Sequence, residues 1–257
     1  MQIYHLTISV RGRRTLARTE AERRAMLKVV VSIARERLLL FSVTDDHVHT
    51  MVRSDCIGLL ARDLCGAPER RRPDLELKRP DVEPVGTRTY LWGLVRYFVE
   101  QPSRHALPGH PALFSGSCFT DLVGARLLPG FAPSRLLGEL PRFRLRDLFP
   151  VVGLDPTPLV PASDATLLTL GPGPLCDLVA SVFATPPDLI GRSDTLTRAR
   201  TLAATLTRRL GKRLSDLADH LRVSRQAVSA LSQRFVDPAW ELALRRRLAL
   251  EERARTD

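Results

Sequence analysis

The stretch RLLLFSVTDDHVHTMVR, Arg37–Arg53, decides how the first half of the chain is read. An apolar run, LLLFSV, leads into two acids and then a His-Val-His triplet, in a chain that holds only 6 His in 257 residues. The run reads as one long strand, or as two strand pieces broken near Asp45 and Asp46. Where it continues as a strand, the side-chain period of two puts His47 and His49 on one face and Val48 on the other. Two imidazoles side by side suggest a metal.

Working outward, IYHLTISV (3–10) alternates as a strand does. TEAERRAMLKVVVSIARERL, Thr19–Leu38, has helical spacing with acids near its start and Arg near its end. CIGLLARDLCG reads as a short helix stopped by Gly66, followed by a polar surface turn, PERRRPD. LELKRPDVEPVGTRT is Pro-interrupted and extended. TYLWGLVRYFVEQP, Thr89–Pro102, repeats apolar residues at helical spacing and must end near its proline. Strands and helices interleave, and several connections are too short for helical crossovers. An α+β fold with antiparallel strands is therefore expected.

From Leu127 to Pro174 the chain becomes rich in Pro and Gly, with SRLLGEL and FRLRDLF as short elements, and reads as a connector without a core of its own. Beyond it the pattern is helical throughout. The expected organisation is 1–131, a catalytic α+β domain; 132–174, a connector; and 175–257, a small all-α domain. Residues 191–257 carry 15 basic and 8 acidic side chains, a net +7 of the chain's formal +11. Most of the basic residues are Arg, whose planar fork suits phosphate, so nucleic acid is the leading partner class. The four Cys form no CxxC pair, no apolar run is long enough to span a membrane, and MQIYHLTISV reads as strand rather than as a secretory leader. A cytoplasmic, nucleoid-associated protein is expected.

A divalent ion held by two imidazoles needs a further ligand and open positions for substrate and water. On the 89–102 helix, Tyr97 and Gln101 stand four residues apart and share a face. Gln101 can lend a carbonyl oxygen to the ion, and Tyr97 can present its phenol to whatever the ion polarises. A nucleophile beside a Lewis acid results.

YHLTISVRG near the start, the strand ending in DDHVHTMVR, and RYFVEQPSRHAL followed by HPALFSGS together resemble the single-tyrosine HUH transposases of small bacterial insertion sequences, particularly the REP-associated tyrosine transposases. That family carries a His-apolar-His pair after a strand, often as MPNHVHLL, then a tyrosine helix similar to RYIHLNPVRAGLV and a segment similar to YPWSS. His47, Val48 and His49 match the pair, Tyr97 the nucleophile, Gln101 the amide metal ligand and Arg104 the Arg after the proline, in order over about Tyr4 to Phe131. Thr44, Asp45 and Asp46 replace Met-Pro-Asn, Ser103 replaces an apolar residue, and YPWSS survives only as LFSGS. The resemblance implies a ferredoxin-like antiparallel sheet backed by helices and Mg2+ or Mn2+ on His47, His49 and Gln101. It also implies attack by Tyr97 on single-stranded, hairpin-containing DNA to give a 5′-phosphotyrosine and a free 3′-OH. A homodimer is the family's expected form.

RLSDLADHLRVSRQAVSALSQRF has the layout of a helix-turn-helix, with Leu217 and Ala218 in the first helix, a turn at Arg222–Ser224, and Val228 and Leu231 holding the second helix. Ser224 is a good N-cap, and Arg222 stands where a turn glycine is common. Arg225, Gln226 and Ser229 are placed to reach base edges, and Arg198, Arg200, Arg208 and Arg209 to meet phosphates. Leu175–Gln233 is similar to the DNA-binding domain of the bacterial replication initiator DnaA, which implies duplex recognition. The expected function is thus a metal-dependent DNA transposase or related endonuclease with a tyrosine nucleophile. The competing expectations are a domesticated, catalytically silent DNA-binding or regulatory protein, and a metal-dependent hydrolase or nuclease without a covalent step.

Overall fold

The computed structural model describes residues 1–12 and 14–256, which form two compact units: Met1–Leu122 with Pro129–Thr157, and Val123–Leu128 with Pro158–Thr256. The protein is α+β. In the first unit β1 (Gln2–Ser9) is followed by α1 (Glu20–Ala34), the hairpin β2 (Leu38–Val43) and β3 (His47–Ser54), α2 (Ile57–Arg71), β4 (Asp81–Pro84) and α3 (Arg88–Arg104). All strand pairs are antiparallel, in the order β2-β3-β1-β4. Two short helices, α4 (Phe119–Leu122) and α5 (Ser134–Glu139), complete the unit.

The Arg37–Arg53 stretch is two strands rather than one. The Thr44 amide donates to the His47 carbonyl at 2.9 Å, closing a two-residue loop of Asp45 and Asp46. Every residue of β2 is buried. Its outer edge is met by the segment around Ser117, where the Val43 amide bonds the Gly116 carbonyl. A Cβ on Gly116 would overlap the Val43 carbonyl oxygen, so only glycine permits that approach.

On β1, Leu6 and Ile8 share one face, and His5, Thr7 and Ser9 the other, opposite Met51, His49 and His47 of β3. α3 lies over the His face, while α1 and α2 pack on each other and against the sheet. Thr19 caps α1 reciprocally with Glu22, as its sequence signature implies.

Two helix ends differ from the sequence expectation. α1 stops at Ala34, because Arg35 takes a positive φ of 47° and Leu38 is already committed to the sheet. α2 runs through Gly66 to Arg71, since an internal glycine costs only about 1 kcal/mol while Leu60, Leu64 and Pro68 keep one face buried. α3 ends at Arg104, two residues after Pro102 and so near its proline as expected.

The Pro/Gly-rich region expected as a connector at 132–174 is shared between the units: residues to Thr157 join the first, where Leu136, Leu148, Phe149 and Val152 are buried, and the rest join the second. The second unit is helical: α6 (Asp164–Leu168), α7 (Pro172–Phe183), α8 (Asp194–Arg209), α9 (Leu214–Leu221), α10 (Arg225–Ser232) and α11 (Pro238–Thr256). Its core gathers Leu175, Val179 and Val182 of α7, Leu202 and Leu206 of α8, Leu217, Val228 and Leu244. α9 ends where Arg222 adopts φ 54°, and Ser224 then caps α10 by accepting from the Ala227 amide. Among the described residues no helix is long and apolar enough to cross a membrane.

Candidate active site

The site is assembled from two neighbouring strands and the helix above them. β3 contributes His47 and His49, 8% and 3% exposed, and α3 contributes half-buried Tyr97 and fully buried Gln101. The Tyr97 hydroxyl is 3.2 Å from His49 Nε2, and His47 Nε2 is 3.3 Å from Gln101 Oε1. The four residues singled out by spacing therefore meet in one place.

Their orientations are fixed from behind. His47 Nδ1 lies 2.6 Å from Asp46 Oδ1 and 3.0 Å from Thr44 Oγ1. His49 Nδ1 lies 3.0 Å from His5 Nε2 and 3.1 Å from Thr7 Oγ1. The Gln101 amide nitrogen donates to the Tyr97 carbonyl at 3.0 Å, which leaves its oxygen facing the imidazoles. The Asp46 carboxylate accepts a hydrogen bond from His47 Nδ1–H at 2.6 Å, which leaves His47 Nε2 facing the Gln101 carbonyl oxygen at 3.3 Å, either through a proton on that nitrogen or across a cation.

Burial drives the His49 pKa down to about 3, with His47, His5 and His105 adding in the same direction, so His49 is neutral at ordinary pH. Burial also lowers His5, against the pull of Glu83 and Asp81. Burial pushes the Asp46 carboxyl up, but hydrogen bonds from His47 and Thr44 and the adjoining imidazoles outweigh it and hold the group below its ordinary range.

His47 Nε2, His49 Nε2 and Gln101 Oε1 make a donor set of the kind a divalent ion takes, with a carboxylate and a hydroxyl behind the two imidazoles as metal sites usually have. Among the described residues no group of three or more His, Cys, Asp or Glu is arranged to hold a metal, so an ion here needs the Gln101 carbonyl as its third protein ligand. Arg104 places its guanidinium 5.2 Å from the centre of the Tyr97 ring and pairs with Glu100 at 2.8 Å.

Three neighbours were not anticipated. His5 and Thr7 were legible in principle, because HLTIS alternates polar and apolar residues along β1. His105, the C-cap of α3, sets its ring 4.8 Å from that of His47, a meeting made by the position of α3 over the sheet.

The residues expected to meet DNA divide into two groups. Arg225 and Gln226 are exposed on α10 beside half-buried Ser229, and Arg208 is exposed on α8. Arg198 is paired with Asp194, Arg209 grips Glu241 with both terminal nitrogens, and Arg200 donates to the Gly191 carbonyl, so these three are engaged within the unit. No protein-family model, curated protein or solved structure matches the chain.

Proposed function

We propose that this chain is a metal-dependent enzyme that cleaves and rejoins single-stranded DNA through a covalent 5′-phosphotyrosine on Tyr97. One observation carries the reading: the Tyr97 hydroxyl lies against a buried cluster in which two imidazole nitrogens and an amide oxygen converge. The βαββαβ order of the first unit, with its antiparallel strands ranked β2-β3-β1-β4, supports reading it as a ferredoxin-like sheet and, with it, the resemblance to the HUH transposases.

A bound Mg2+ or Mn2+ would supply the charge that polarises the scissile phosphodiester. His47, His49 and Gln101 would hold it, and Asp46, Thr7 and His5 would keep the imidazoles oriented. Tyr97 attacks phosphorus in line. The Tyr97 oxygen–phosphorus bond forms as the bond to the 3′ oxygen breaks, the phenol loses its proton, and the leaving oxygen gains one. The ester conserves the phosphodiester linkage, so another 3′-OH can reverse the step without ATP. Arg104, already over the Tyr97 ring, brings a cation to the nucleophile. The α9–α10 pair serves as a helix-turn-helix on duplex DNA, with Arg225 and Gln226 outward.

A denaturing-gel assay with labelled hairpin-containing single strands and Mn2+ tests the proposal. We expect a protein–DNA adduct that is absent in Tyr97→Phe. Adduct formation or cleavage by the Phe variant would remove Tyr97 as nucleophile, and strand binding without any adduct would favour a catalytically silent DNA-binding protein.

A further inference from the structure

Beside the Tyr97 helix the first unit carries an open groove of about 760 Å³ lined by Trp92, Arg96 and Glu100 of α3 and by Arg146, Asp147, Pro150, Val151 and Pro156. We propose that this groove is a strand-binding subsite in which a base of the single-stranded DNA stacks on Trp92 while Arg96 and Arg146 take the flanking phosphates. The inference rests on the proposed strand-cleaving function and names how the substrate is held beside the nucleophile.

The groove offers an aromatic platform held from behind. Trp92 packs edge-on against buried Phe143, with ring centroids 6.2 Å apart, and Arg96 lies 5.6 Å from the Trp92 ring centre. Indole faces flanked by guanidinium groups bind bases without regard to sequence, because every base has a π face.

The charge available is positive. Of the two acids lining the groove, Glu100 is paired with Arg104 at 2.8 Å and Asp147 with Arg144 at 3.2 Å. Arg96 and Arg146 are exposed and hold no ion pair among the described residues, so both can turn to phosphate.

Position joins the groove to the chemistry. Trp92, Arg96 and Glu100 follow one another at four-residue steps along α3, and Glu100 leads through Arg104 to the Tyr97 ring. Trp92 and Tyr97 stand five positions apart on α3, about 7.5 Å of axial rise and roughly 140° around the helix, so a strand passing from one to the other spans a few nucleotides at ~3.4 Å or more each. A base on Trp92 therefore belongs to the few nucleotides next to the scissile phosphate.

The test is equilibrium binding of a short fluorescent oligothymidylate by the full-length chain in excess EDTA, so that no strand is cut, with the adduct assay run separately. Trp92→Ala is expected to weaken binding about tenfold, the usual loss of one stacked base. Trp92→Phe, which keeps an aromatic face and the Phe143 contact, should retain most of the affinity. Arg96→Ala and Arg146→Ala should each reduce the slope of log affinity against log salt by about 0.7. In Trp240→Phe, where Trp92 is the remaining indole, the oligomer should quench tryptophan fluorescence.

Unchanged affinity in Trp92→Ala and unchanged salt slope in both Arg variants would overturn the groove assignment. If adduct formation by the parent persisted, the strand-cleaving function would be untouched. Thymidine monophosphate displacing the oligomer equally well at the same nucleotide concentration would make this a free-nucleotide site and overturn the strand assignment. A parent that binds the oligomer with these sensitivities but forms no adduct would support the groove while removing the covalent function.

Discussion

At His47 the question is what stands between its Nε2 and the Gln101 oxygen. The Asp46 carboxylate accepts a hydrogen bond from Nδ1–H on the other side of the ring, so Nε2 meets the Gln101 oxygen either with a proton of its own or across an ion. Removing that carboxylate frees the imidazole to turn and to change tautomer. Asp46→Asn should therefore weaken Mn2+ binding by about 10–100-fold, as loss of an outer partner of a ligand histidine does, and a calorimetric titration measures it. Asp46 is well exposed in a loop, so thermal stability should change little. An unchanged Mn2+ affinity would reduce Asp46 to a turn residue. The sequence made the centre of this site legible and not its surround. His47 and His49 follow from strand period, and Tyr97 with Gln101 from helix period. Their support comes from contacts no local period encodes: Thr7 faces His49 only through the β1–β3 register, and His105 reaches His47 only because α3 crosses above β3.

Among the elements, those with a strong repeat were legible and their ends less so. The alternation of β1, the helical spacing of α1 and the apolar face of α3 each act within a few residues and are legible in the sequence. The ends of α1 and α2 depend on tertiary burial, which overrides a weak local stop signal such as Gly66. After Pro129, α5 and a helical turn at Leu145–Leu148 fall within SRLLGEL and FRLRDLF, but their membership of the first unit hid, because Leu136, Leu148 and Val152 are too scattered for a period and are buried by the rest of the unit. In the second unit one contact between elements has a testable sign. Glu241 of α11 receives both terminal nitrogens of Arg209 from α8 and a bond from Arg245. The hydrogen bond from Arg209 holds its carboxyl below the ordinary glutamate range, against the effect of burial, and Arg245 adds to it. A depressed folded-state pKa stabilises the fold above the unfolded pKa, and that stability is lost as pH falls through the folded value. Glu241→Gln should accordingly lower the melting temperature near neutrality, and the gap to the parent should close on acidification below about pH 4. Melting curves across that range decide it. A gap independent of pH would mean that the pair acts through packing rather than charge.

For the molecule as a whole, the excess of basic residues makes attraction to DNA easy to obtain and discrimination hard. A formal charge of +11 favours any polyanion, and its contribution weakens with salt. Arg198, Arg200 and Arg209 already have partners, so the steering and the reading of duplex DNA should fall to different, unengaged residues. Arg208 is exposed on α8, whereas Arg225 and Gln226 stand at the start of α10, where Ser224 closes the first turn. Arg208→Ala should weaken binding to every duplex by a similar factor and reduce the salt slope by about 0.9, the loss of one phosphate contact. Arg225→Ala or Gln226→Ala should instead cost about 1–3 kcal/mol on the preferred sequence and little on others, because a bidentate base contact is lost. Parallel titrations at several salt concentrations on selected and random duplexes separate the two effects. If Arg225 and Gln226 variants lose affinity uniformly, α10 is a phosphate-binding surface, and the choice of DNA then rests on the proposed single-strand site beside Tyr97.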